Sequence, residues 1–379
     1  MVDKMSFSEC LASFDAEAAH EQIIQTNESS VLRVLMEDRI SYCDFLALLS
    51  PSAERHLDAM AMRAQSLTRT HFGKNIMLYI PLYLSNECEN SCAYCGFKRE
   101  NNIVRHTLSV NEIHEELQRV YSFGMRSVLL LTGESSRNAD ISYLERAVRI
   151  AREYVPLVSL EVYPLSEDEY RRLADAGASG ITVYQEAYHE ETYQAMHPRG
   201  RKRDYVWRLN TPDRALSAGM RKIGIGTLLG LNDFRYEAAC VGYHAQYLMK
   251  HYWKSEVSIG FPRLRPSASG FQPVMPVSDK NMVQMIFALR IFQPTLGLTI
   301  STRESATFRN NIVAYGISMM SAGSRTNPGG YGQMETTARQ FETKDDRSVD
   351  EVAEVIRMKG YYPVFKDWDD NFGTSKKVV

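Results

Sequence analysis

From residue 75 onward, apolar runs of strand length alternate with amphipathic segments of helical period, and this alternation most constrains the fold. Strands are expected at 77–84, 127–131, 158–162, 180–184, 222–228, 256–260, 297–301 and 317–322. Helices are expected between them at 111–123, 141–154, 166–176, 234–252 and 279–292. Ser166 and Glu169 have capping-box spacing, which satisfies two orphan amides at a helix start. Gly124, Gly177 and Gly219 each follow a helical segment, where a left-handed residue closes the last turn. Eight strand-then-helix units in series predict an α/β protein with a TIM-type (β/α)8 barrel. The chain divides into a helical N-terminal extension at 1–72, the barrel at 73–339, and a C-terminal helix and tail at 340–379. In the extension, 44–49 and 53–67 carry helical spacing and Pro51 marks a helix start.

Barrels of this kind collect their active groups at the C-terminal ends of the strands. The segment C-E-N-S-C-A-Y-C follows the first strand and holds Cys88, Cys92 and Cys95 in the spacing C-x3-C-x2-C. Three thiolates can hold a 4Fe–4S cubane while leaving its fourth iron open to a substrate or cofactor. An electron-transfer ferredoxin closes every iron with cysteine. A structural zinc site needs four ligands, commonly as two pairs, and no second pair exists. Cys10, Cys43 and Cys240 are scattered singly, and His106 beyond the loop completes no common zinc pattern. A disulfide would leave one of the three thiols unpaired and would need an oxidising compartment. An open iron–sulfur cluster is therefore the expected occupant.

The 44 basic and 46 acidic residues nearly cancel, so no basic excess points to nucleic acid. The run His197-Pro198-Arg199-Gly200-Arg201-Lys202-Arg203 reads first as a solvated loop, with an anionic ligand or a protein contact as the sharper alternative. No apolar stretch is long enough for a membrane span, and residues 1–19 lack a signal-peptide core. A cytoplasmic location is expected.

These residues resemble the radical S-adenosylmethionine enzymes. The signature of that superfamily is C-x3-C-x2-C with an aromatic residue before the last cysteine, here Tyr94. The resemblance implies that S-adenosylmethionine chelates the open iron. It also implies that the Gly133-Glu134 pair after the second strand receives the amino group of the cofactor. Further motifs narrow the match to the aromatic amino-acid lyases, and among them to the tyrosine lyases of thiamine thiazole biosynthesis. They are P-L-Y-L-S-N-E-C-E-N-S-C-A-Y-C-G-F, L-L-L-T-G-E, V-Y-Q-E-A-Y-H-E-E-T-Y, F-P-R-L-R-P, L-T-I-S-T-R-E, N-P-G-G-Y and, near the end, K-D-W-D. The implied reaction cleaves the Cα–Cβ bond of L-tyrosine to 2-iminoacetate and p-cresol through a 5′-deoxyadenosyl radical. The implied partners are thiazole synthase and a one-electron donor such as a flavodoxin or ferredoxin. A related tryptophan lyase is the alternative enzyme, and a non-catalytic iron–sulfur electron carrier or scaffold is the alternative class. Hydrogenase-maturation tyrosine lyases bear a second cysteine cluster in a C-terminal extension, whereas no cysteine follows Cys240 here.

The remaining strand ends take roles under that resemblance. Glu161 and Tyr163 close the third strand, where a carboxylate suits the cofactor ribose, with a barrel-mouth salt bridge as the bland alternative. Tyr184, Gln185 and Glu186 close the fourth, and Gln185 and Glu186 are assigned to the cofactor. Arg303 ends the seventh strand and can grip the substrate carboxylate by two parallel hydrogen bonds. A structural pairing with Glu304 or with another barrel acid is its plainer reading. Ser321 and Ser324 end the eighth strand as candidate hydroxyl partners, Ser321 being assigned to catalysis. Arg263 and Arg265 fit the cofactor, the substrate or the loop alone. Pro328-Gly329-Gly330-Tyr331 reads equally as a lid or a tight turn.

Overall fold

One closed sheet organises the chain. The computed structural model describes residues 5–332 and 337–366. Its strands are β1 Asn75–Ser85, β2 Ser127–Thr132, β3 Leu157–Glu161, β4 Gly180–Thr182, β5 Lys222–Gly226, β6 Glu256–Gly260, β7 Gly297–Ile300, β8 Met319–Ser321 and β9 Tyr362–Val364. Neighbours pair in parallel from β2 through β8, and β1 joins both β8 and β2, closing an eight-strand barrel. The predicted strands all exist, as do the five predicted barrel helices.

Two details differ from the sequence reading for physical reasons. β4 stops at Thr182, yet the Val183 and Gln185 amides still bond the Gly224 and Gly226 carbonyls. Pairing with the β5 side continues to a parallel bridge between Glu186 and Thr227, where Glu186 turns into the left-handed region with φ 72°. The second difference is β9, which pairs Tyr362–Val364 with Asn75–Met77 of β1. That segment has no period-2 signal long enough to mark a strand. Only Lys366 of the K-D-W-D motif lies within the described residues.

Local rules hold elsewhere. The Ser166 hydroxyl accepts from the Glu169 amide while the Glu169 carboxylate accepts from the Ser166 amide, as the spacing predicts. Gly124, Gly177 and Gly219 all have positive φ after their helices. Pro51 precedes a 3-10 turn, Ser52–His56, which leads into the helix Leu57–Phe72.

The N-terminal helices share the barrel's core. Phe7, Phe45, Leu48 and Met60 are fully buried in the same apolar cluster as the strands. The Phe45 ring stacks on Phe292 of the helix Asp279–Phe292, with centroids 4.6 Å apart. Gly242 makes room, since a Cβ there would lie 2.5 Å from the Phe45 ring. Gln284 donates to the Leu48 and Ser50 carbonyls at 3.0 and 2.7 Å, tying the same surfaces together.

Inside the barrel, the lower positions are small and polar. Ser127, Ser159, Gly224, Ser258, Gly297 and Ser318 help line a cavity of about 1030 Å³ toward the N-terminal ends of the strands. Branched side chains ordinarily fill these layers. Tyr184 lies across the bore above, its ring against Gly226 and Gly260, where a Cβ would come within 2.7 and 2.5 Å of it.

Because Phe45 is buried at the joint between extension and barrel, Phe45→Ala is expected to destabilise the whole protein by about 3–5 kcal/mol. Denaturant unfolding should show one transition at a lower midpoint. An unchanged midpoint would mean that the N-terminal helices are not integral to the fold.

Candidate active site at the barrel mouth

The long strand β1 delivers the cysteine loop to the mouth, and the loop is fixed from three sides. The Gly133 amide bonds the Ser85 carbonyl at 2.9 Å, and the Glu89 amide bonds the Glu134 carbonyl at 3.0 Å. Gly133 is a close-approach glycine, since a Cβ would sit 2.2 Å from the Glu87 carbonyl oxygen and 3.2 Å from the Cys88 Cβ. From the other side, Ala93 and Ser91 amides bond the Met196 and Arg199 carbonyls. From above, the Gly96 amide bonds the Gln340 carbonyl at 3.2 Å.

Cys92 is buried, and Cys88 and Cys95 are half-buried. Burial raises all three thiols, Cys88 to about 11. A coordinated metal reverses this by holding the thiolate outright. The donors suit such a group. The Cys95 sulfur already accepts from the Phe97 amide at 3.4 Å and from the Gln340 side chain at 3.8 Å. Among the described residues no three His, Cys, Asp or Glu side chains converge on one ion position. A cubane does not ask for that, because each thiolate binds its own iron. His106 is turned to Glu112 at 2.9 Å, away from any zinc role.

Beside the loop lies a paired set of charges. Glu134 accepts from Asn90 at 2.8 Å and from Arg208 at 2.9 Å. Glu186 accepts from Lys202 at 2.6 Å, with Arg208 at 3.6 Å. Burial disfavours the charge on Glu186, but Lys202 and Arg208 overcome it and hold its carboxyl below the usual range. Gln185 is buried beside this set, and its side-chain amide nitrogen has no partner.

Tyr94 is held by His197. The His197 Nδ1 lies 2.7 Å from the Tyr193 carbonyl, which can only accept, so Nδ1 carries the proton. The bare Nε2 then accepts from the Tyr94 hydroxyl at 2.8 Å. Burial, with Lys202 next in importance, keeps His197 neutral, its pKa lowered to about 3.

A second chamber sits between these groups and the far strands. Its lining includes Tyr79, Tyr83, Glu161, Tyr184, Arg303 and Ser321. Glu304 is not the partner of Arg303, because Arg263 and Arg265 hold its carboxylate, with Arg265 at 2.8 Å. Arg303 stacks on Phe341, 3.4 Å from the ring centroid, and has no carboxylate partner among the described residues. The Ser321 hydroxyl accepts from the Thr302 amide at 3.1 Å, whereas the Ser324 hydroxyl lines the chamber without a partner. Tyr163 does not line it, and its hydroxyl donates to the Ala139 carbonyl at 2.8 Å. Tyr331 of the N-P-G-G-Y segment donates to the Pro81 carbonyl at 2.6 Å, which ties that turn to β1.

Sequence reasoning missed Asn90, His197, Lys202, Arg208 and Gln340 as parts of this site. The basic run was the one available signal. Its Arg199, Arg201 and Arg203 are exposed, while His197 and Lys202 turn inward onto the cysteine loop.

Comparison with known proteins agrees with this geometry. Residues 82–240 match the Radical SAM superfamily, and residues 260–362 match the Biotin and Thiamin Synthesis associated domain. The 2-iminoacetate synthase of Escherichia coli is 40% identical over 98% of this chain and 99% of its own. That of Salmonella typhimurium is 41% identical over 92% of this chain and 93% of its own. The structure of the FeFe-hydrogenase maturase HydG from Carboxydothermus hydrogenoformans superposes with TM-score 0.86 at 31% identity, covering 96% of this chain and 86% of that one. With a barrel-mouth cysteine loop, a Gly-Glu pair against it and near-complete alignment, the chain belongs to the radical S-adenosylmethionine enzymes of the 2-iminoacetate synthase family.

Proposed function

We propose that this enzyme cleaves the Cα–Cβ bond of L-tyrosine, giving 2-iminoacetate and p-cresol for thiamine thiazole assembly. The observation that carries the substrate class is Arg303. A half-buried guanidinium without an acid partner, the one cation among the described residues lining the chamber, with nearby Arg263 and Arg265 already held by Glu304, suits an incoming carboxylate. 2-Iminoacetate is what an α-amino acid leaves behind when its side chain departs from Cα. The names of the two curated relatives thus fit a chamber that grips an amino acid by its carboxylate.

Cys88, Cys92 and Cys95 would hold the 4Fe–4S cluster, and Tyr94, Gly133, Glu134, Gln185 and Glu186 would hold S-adenosylmethionine. When bound, that pair supplies a 5′-deoxyadenosyl radical. The chain's own residues provide aim and dryness. Glu134 and Glu186 offer carboxylates already balanced by Arg208 and Lys202, so no charge is stranded on the way in. His197 keeps Tyr94 in one orientation. Ser321 and the unpartnered Ser324 hydroxyl face the amino acid from β8 and its end. We assign the enzyme a one-electron donor of flavodoxin or ferredoxin type, and thiazole synthase as acceptor of the imine. No described helix is long and apolar enough to cross a membrane.

Anaerobic protein reconstituted with iron and sulfide, then given reductant, S-adenosylmethionine and tyrosine, should form 5′-deoxyadenosine and p-cresol together. Products of tryptophan cleavage alone would move the assignment to a tryptophan lyase. In the same preparation, Arg303→Ala should weaken tyrosine binding by about 2 kcal/mol or more while leaving the cofactor-induced change in the cluster's EPR spectrum intact. Gly133→Ala forces a methyl into the Glu87 carbonyl, so it should displace the cysteine loop. The expected result is a loss of bound iron and sulfide on reconstitution, and full cluster content in that variant would contradict the close-approach argument.

A further inference from the structure

Glu161 is the odd acid of the site. Glu134 is held by Asn90 and Arg208, Glu186 by Lys202, and Glu304 by two arginines. Glu161 ends β3 opposite Leu131 of β2 and lines the same chamber as Arg303. Its carboxylate accepts no hydrogen bond from a described residue. Around it stand Tyr79, Tyr83 and Tyr184, each of whose hydroxyls burial and then the Glu161 charge hold un-ionised. Glu161 is half-buried, and a carboxylate left without a hydrogen-bond partner in a chamber walled by tyrosines is costly to keep and is completed by a ligand.

An amino acid in this chamber presents two charges at its Cα. Arg303 meets the carboxylate, and the ammonium then needs an anion on the other side. We infer that Glu161 receives the substrate ammonium and takes a proton from it, so that the reacting nitrogen is a neutral amine. This rests on the amino-acid lyase assignment above and assigns Glu161 to the substrate instead of the cofactor ribose. The step balances simply. One N–H⁺ bond breaks, its electron pair stays on nitrogen, and one O–H bond forms on Glu161. Ammonium and carboxylate become amine and carboxylic acid, and the pair's net charge stays at zero. Hydrogen-atom loss from an ammonium would leave a cationic nitrogen radical, which forms less readily than the neutral one that a free amine gives.

The surroundings suit a base that works near neutrality. Burial raises the Glu161 carboxyl, and repulsion from Glu186 adds to it, while Arg303, Lys202 and Arg208 pull it down, leaving it at about 7. A base poised near the working pH is the most effective one.

The test compares tyrosine with 3-(4-hydroxyphenyl)propionate, which lacks only the amino group. Both are titrated into the anaerobic, cluster-loaded enzyme with S-adenosylmethionine. Glu161→Gln should weaken tyrosine about 10- to 100-fold, the range for a hydrogen bond to a charged group. It should leave the deamino analogue's affinity and the cofactor-induced EPR change as they were. The rate of p-cresol formation should fall about 100-fold or more at neutral pH, and should climb as rising pH deprotonates the amine from bulk water. Glu161→Asp, which keeps a base, should recover part of that rate. Equal weakening of both ligands, or undiminished tyrosine affinity, overturns the assignment. A lost EPR change with intact tyrosine binding overturns it in favour of the ribose. If the unsubstituted enzyme binds neither tyrosine nor the analogue, the tyrosine assignment itself falls.

Discussion

The carboxylates nearest the cysteine loop, Glu134 and Glu186, are each paired with a cation, and that constraint arranges the site. Arg208 reaches from the helix Tyr205–Leu209 to Glu134 after β2 and approaches Glu186 after β4. Lys202 closes the set from the basic run. Three separate stretches of chain are thereby fastened beneath the cysteine loop. Breaking such a set by removing one member leaves an uncompensated charge, which is far more damaging than the set is stabilising. The network therefore acts less as a source of stability than as a means of holding positions. Arg263, Arg265 and Glu304 repeat the device on the far side, and by doing so they leave Arg303 for a ligand.

How much of this was legible in the sequence follows from the range of the forces involved. Strands and helices are local, so period and capping recovered β1 to β8 and the helix from Glu167. The cysteine loop and Gly133-Glu134 were legible because their chemistry demands fixed spacing. Arg208 was not, since nothing in Tyr205–Leu209 marks a residue that will meet Glu134 across 74 positions of chain. His197 was visible only as one member of a charged run. Its neutral, hydrogen-bonded state depends on burial against Tyr94, which no sequence window contains. β9 failed for a related reason. Three residues carry too little pattern, and the strand exists because β1 offers it an edge.

Gln340 shows where a boundary drawn on sequence meets the folded molecule. Composition changes at that point, and a tail was expected to begin there. In space its side chain accepts from the Tyr83 hydroxyl at 2.7 Å and faces the Cys95 sulfur, while its carbonyl anchors Gly96. Gly96 has to be glycine for this, because a Cβ would lie 2.4 Å from that carbonyl oxygen. The segment after β8 thus forms part of the cysteine loop's support.

Glu186 carries the clearest sign that position here outranks local preference. Among the described residues it is the one non-glycine with positive φ. Such a conformation costs on the order of 1–3 kcal/mol and survives only where surroundings over-determine it. They do so on both sides. The Glu186 carbonyl accepts from the Leu228 amide at 2.8 Å and the Thr227 hydroxyl at 2.7 Å, and its carboxylate is gripped by Lys202. A glycine would relieve the backbone but would remove the anion that balances Lys202 and Arg208. An unstrained turn would point that anion elsewhere. The strain is what remains when a carboxylate must occupy one fixed place beside the cysteine loop.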